Sequence, residues 1–156
     1  MSAGRGKGRR SVHIGWLTAA VAVIGGILLV TLRPDEPLTS VNLEPLAHHG
    51  RALQALVDGR ADRGVLVRYL VFDLLGNLVL FLPLGLTVAG AVGRWAPVGR
   101  LVAAGLVGLA LSVAIELVQL GIPGRASDVD DVIFNTVGTL VGAATYAVAA
   151  RCRGGR

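Results

Sequence analysis

The chain has 156 residues, of which 53% are hydrophobic and only 16% charged, with a mean hydropathy of +0.67. That balance excludes a disordered regulator and argues against a water-soluble enzyme, since soluble domains carry about 25% charge. The single cysteine excludes an internal disulfide framework or multi-cysteine metal site, and 4% aromatics leave no stacking platform for nucleic acid despite a net charge of +5.

Residues 1–11 are a basic N-terminus carrying Arg5, Lys7, Arg9 and Arg10. They precede a run at 12–32 without an ionised side chain. This run is longer than a signal-peptide core, and Leu32-Arg33-Pro34-Asp35 is a poor cleavage site, so we read an uncleaved helix. Further apolar runs follow at 70–92, interrupted only by Asp73, at 101–122, interrupted only by Glu116, and at 132–150. Each approaches the roughly 20 residues needed to cross about 30 Å of hydrocarbon, and in lipid a backbone must satisfy its own hydrogen bonds. The expected fold class is therefore all-α: a multi-pass membrane helical bundle of four transmembrane helices, with a short basic tail at 151–156. Between the first two spans, residues 33–69 form the long connection. There Leu46, Leu53, Leu56 and Val57 repeat at 3–4 spacing opposite His48, His49, Arg51, Gln54 and Asp58. That pattern fits a short amphipathic helix on the membrane interface, or else an irregular loop. The adjacent His48 and His49 would point about 100° apart on a helix and make a poor metal pair.

Placing the N-terminus inside puts nine basic and no acidic residues in the inner pieces 1–11, 93–100 and 151–156, against six basic residues elsewhere. Short loops rich in Lys and Arg stay cytoplasmic, so both termini are expected there. The basic charge then serves membrane topology and anionic lipid headgroups; no nucleic-acid partner is expected.

The polar residues within the spans share one depth. Asp73 and Asn77 lie four apart on the second span, Glu116 and Gln119 three apart on the third, and Asp128, Asp131 and Asn135 at spacings of three and four at the start of the fourth. All fall in the outer leaflet. Intramembrane ionisable groups normally face a bundle interior or a wet cavity, and two readings stay open. One is a structural clamp in which Glu116, Gln119, Asn77 and Asn135 bond together; the other is a ligand-binding or catalytic site. Arg125, after the reversal Pro123-Gly124, is the expected counter-charge, since an arginine fork can bridge two carboxylates. Ser127-x-x-Asp130 has the form of a capping box, which accounts for Asp130 and leaves Asp128 and Asp131 unexplained. Those two acids with Glu116 offer oxygen ligands for Mg²⁺ or Ca²⁺, but no metal or other cofactor is expected. Gly138-x-x-x-Gly142 permits close helix approach, and Pro83 should kink the second span.

Several of these strings together resemble the VanZ-like family of bacterial integral membrane proteins. They are Asn42-Leu43-x-Pro45, Asn77-x-x-x-Phe81-x-Pro83-x-Gly85, Glu116-x-x-Gln119, Arg125-x-x-Asp128-x-x-Asp131 and Asn135-x-x-Gly138-x-x-x-Gly142. The resemblance spans about residues 12–150; Leu46 stands where the family more often has an aromatic. It implies a multi-pass protein of the plasma membrane and cell envelope, in a family whose named members give low-level teicoplanin resistance. The implied partners are membrane lipids together with a glycopeptide, a peptidoglycan precursor or a carrier lipid at the outer face. The alternative is a membrane enzyme acting on a lipid-linked envelope substrate, with Glu116 or Asp131 as general base. No Ser–His–Asp order, nucleotide loop or zinc signature is present to support it.

Overall fold

The structure, a computed structural model, describes residues 3–33, 41–60, 62–93, 95–122 and 127–154. Its elements in chain order are α1 (Ala3–Thr31), β1 (Val41–Asn42), α2 (Ala47–Val57), α3 (Arg63–Ala91), α4 (Pro97–Gln119), β2 (Ser127–Asp128) and α5 (Val129–Gly154). Among the described residues the protein is thus all-α apart from one pair of two-residue strands. Four helices contain stretches long and apolar enough to cross a membrane: His13–Thr31, Leu74–Ala91, Pro97–Gln119 and Val129–Arg153.

The helices outrun the apolar stretches that announce them. α3 begins at Arg63, because charged residues at a watery helix end do not stop the hydrogen-bond ladder. α4 begins at Pro97, preceded by the extended Ala96, since the missing amide of a proline is harmless in a first turn. Its far end closes three residues before the apolar run does. Gly121 and Ile122 donate to Val118 O and Gln119 O in tight i→i+3 turns that satisfy the last carbonyls. α3 is one uninterrupted helix through Pro83, where the Thr87 hydroxyl donates to Pro83 O at 3.0 Å.

Packing is closest between α3 and α5. A Cβ placed on Gly85 would collide with Thr139 O, one on Gly138 with Leu78 O, and one on Gly142 with Leu82 O. Backbones approach this closely only where side chains are absent. Around that seam, Ile27, Phe81, Leu84 and Ile115 join α1, α3 and α4 in one apolar cluster, and Ala89, Ala104 and Ala143 form another toward the chain termini. The outward surface is also apolar, with Val21, Leu29, Leu106, Leu117 and Val148 all more than half exposed. Ser112, Glu116, Gln119, Asn135 and Thr139 are buried instead. An apolar exterior, with the polar side chains of the spans turned inward, is the arrangement a hydrocarbon solvent selects.

Both termini lie at one end of the bundle. There His13 Nδ1 sits 2.9 Å from Ala91 O, Trp16 meets the edge of Tyr146, and Arg100 donates to Gly93 O at 2.7 Å. At the opposite, loop end, β1 and β2 pair in parallel, Val41 with Ser127 and Asn42 with Asp128. This pairing brings the first long connection against the entrance of α5.

Candidate polar site at the loop end

Three residues of α4 at spacings of four and three, Ser112, Glu116 and Gln119, turn one buried polar stripe toward α5 and α1. The start of α5 answers it. Asp128 immediately precedes the helix, and its Oδ1 accepts the Asp130 backbone N–H at 2.9 Å, the bond of an N-cap. Its own N–H donates to Glu116 Oε2 at 2.8 Å. Asp128 is therefore both the cap of α5 and the joint between α5 and α4.

This reverses the capping expectation. Asp130 does not return to Ser127. It is 1% exposed, and its two oxygens accept the Leu46 N–H at 2.6 Å and His49 Nδ1 at 2.9 Å. The His49 ring also meets Phe134 of α5 edge-on, with centroids 5.2 Å apart. Leu46 adopts φ 59, a left-handed conformation that costs a branched side chain about 1–3 kcal/mol and persists only where neighbours enforce it. The Asp130 carboxylate supplies that enforcement. The amphipathic stretch around His49 is indeed helical, as α2, with Leu53 and Val57 exposed.

The remaining site residues pair off across helices. Asn77 of α3 donates to Asp131 Oδ1 at 2.5 Å. Asn135 donates to the Ser112 hydroxyl at 2.8 Å, and the Thr139 hydroxyl donates to Asn135 O. Gln119 donates to Thr31 O, the last carbonyl of α1, at 2.9 Å. Among the described residues, these hydrogen bonds each tie one pair of segments, and none of them joins Asn77, Glu116, Gln119 and Asn135 directly to one another. Gln119 Oε1 and Asn135 Oδ1 are buried without a donor among the described residues. Arg125, with Pro123 and Gly124, lies outside the described residues, as does the side chain of Asp73. No group of three His, Cys, Asp or Glu side chains gathers as a metal-ligand set among the described residues.

Beside these ties lies a pocket of about 320 Å³, within the usual range for small-molecule sites. Val113 and Leu117 of α4 with Leu120 just past its end form one wall and Val129 and Val132 of α5 another; Leu43 approaches from the β1–α2 connection. Glu116, Ser127 and Asp128 supply the polar margin. The exposed Leu117 and Leu120 put this pocket on the outer surface of the bundle. Asp130, His49, Ser112 and Thr31 were not legible as site residues. Asp130 was hidden by a motif that explained it otherwise, and His49 by a partner 81 residues away.

Fold and site together define a polytopic membrane protein with a buried polar layer at one end. The VanZ/LLP1 family model matches residues 17–150, and this chain belongs to that family. No curated protein and no solved structure matches it.

Proposed function

We propose that this protein resides in the bacterial plasma membrane with both termini cytoplasmic, and that its loop-end site binds an amphiphilic envelope ligand. The ligand class is a glycopeptide of the teicoplanin type, a peptidoglycan precursor or a carrier lipid, and binding contributes to glycopeptide resistance. The pocket carries this reading: apolar walls open toward lipid, with carboxylates at one margin, suit a molecule with an apolar chain and a polar head rich in donors. The membrane-enzyme alternative has less support. Glu116 Oε2 holds the Asp128 amide and Asp131 Oδ1 holds the Asn77 amide, so both carboxylates act as fixed acceptors joining helices.

The test is binding of labelled teicoplanin to the protein in lipid nanodiscs, paired with teicoplanin susceptibility of cells that do or do not express it. Leu117→Trp fills the pocket, and Val148→Trp introduces the same side chain at an exposed position outside the pocket lining. Leu117→Trp should weaken binding about tenfold or more, equivalent to ~1.4 kcal/mol, and erase the resistance increment, while Val148→Trp retains both. Equal binding by Leu117→Trp and the parent contradicts the reading.

A further inference from the structure

The connection from β1 to α2 crosses the loop end and is fastened at several points to the entrance of α5. Its first residues pair with β2, and Leu46 N–H and His49 both reach Asp130. The fastening residue is itself 1% exposed, whereas the connection it holds exposes Leu43, Leu46 and Leu53 by half or more. Leu46 stands in a left-handed backbone conformation that it would leave if released. Leu43, between the two fastenings, lines the loop-end pocket. One exposed segment therefore contributes a wall to the pocket, is fastened at its start by the β1–β2 pairing and further along by the buried Asp130 carboxylate, and contains a strained residue beside that carboxylate. Strain held in place by neighbouring contacts is a feature of switch regions.

We infer that Val41–Val57 is a movable strap over the loop-end pocket, and that Asp130 is the positioning residue that holds it closed. With both bonds to Asp130 in place, Leu43 is held at the pocket. When they break, Leu46 relaxes, α2 swings with its exposed apolar face toward the membrane surface, and the pocket loses that wall. The strap acts on the pocket as a place and needs no particular ligand. A failure to bind teicoplanin would end the proposed function and leave the strap standing.

The experiment reads access to the pocket by thiol labelling. Val132→Cys is introduced into a Cys152→Ser background, since Cys152 is the chain's one cysteine. Labelling by a water-soluble maleimide is timed in the full chain in nanodiscs, without and with Asp130→Ala. Asp130→Ala should speed labelling about tenfold, the ratio that follows from ~1.4 kcal/mol of lost closure. Asp130→Asn, which keeps an acceptor for the Leu46 amide, should fall between. A further variant ties the strap covalently through Val41→Cys and Ser127→Cys, which are direct strand partners, oxidised before the maleimide is added. The disulfide should return labelling of Asp130→Ala to the parental rate, which a general loosening of the bundle would not do. If Asp130→Ala does not insert, His49→Leu is read in its place, since it removes one fastening and spares the Leu46 bond. Labelling that stays at the parental rate in the variant that inserts overturns the inference, and so does fast labelling that the disulfide leaves unchanged.

Discussion

Glu116 holds the backbone amide of Asp128 at 2.8 Å, and that bond ties the end of α4 to the cap of α5. The residue is 7% exposed, so the amide has little water to turn to if the carboxylate is removed. Glu116→Ala should cost about 2–3 kcal/mol, whereas Glu116→Gln, which keeps an acceptor oxygen, should cost about 1 kcal/mol. Reversible unfolding in detergent measures both, and equal losses would show that charge rather than the bond is what matters. That Glu116 is buried was legible, because an acid far inside an apolar run must find a partner. Its partner was not: an amide twelve residues on, across a reversal, leaves no periodic trace. Asp130 was misread for a related reason. A capping pattern describes spacing along one helix, while burial of that side chain depends on which segment folds over it, here a left-handed turn at Leu46.

The α3–α5 seam is the element-scale counterpart. Gly138 and Gly142 announced a close-packing face by their spacing, and the structure supplies the opposing surface, the backbone from Leu78 to Leu86 of α3 with Gly85 inside it. Gly142→Ala would bring its Cβ against Leu82 O and the Leu86 amide, and backbone cannot move aside as a side-chain end can. Overpacking of this kind costs about 1–3 kcal/mol or more. Gly25→Ala in α1 meets nothing within 4 Å and should be neutral or slightly stabilising, since alanine favours a helix interior over glycine. Melting the two variants side by side in the same detergent checks the contrast, and equal melting temperatures would mean that the seam is looser than described. The four long helices were readable because lipid fixes their length and composition. The parallel pairing of β1 with β2 was not, since two residues of strand cannot show a period of two and the partner lies 86 positions away.

At the scale of the whole molecule, the polar ties and the pocket all gather at the loop end, while both termini, Trp16, Tyr146 and Arg100 gather at the other. The four candidate spans among the described residues and the Arg and Lys of the terminal pieces support the proposed placement of both termini in the cytoplasm. The proposed function depends on that orientation, because a site for envelope ligands must face away from the cytoplasm. Membrane-impermeant maleimide applied to intact cells tests it directly. Cys152 is exposed at the end of α5, and Asp58→Cys in a Cys152→Ser background places the thiol just past α2, at the opposite end. The expected result is that Asp58→Cys is labelled from outside and that Cys152 is labelled only after the cells are opened. Labelling of Cys152 in intact cells, with Asp58→Cys protected, would put the loop-end site in the cytoplasm and contradict the proposed function.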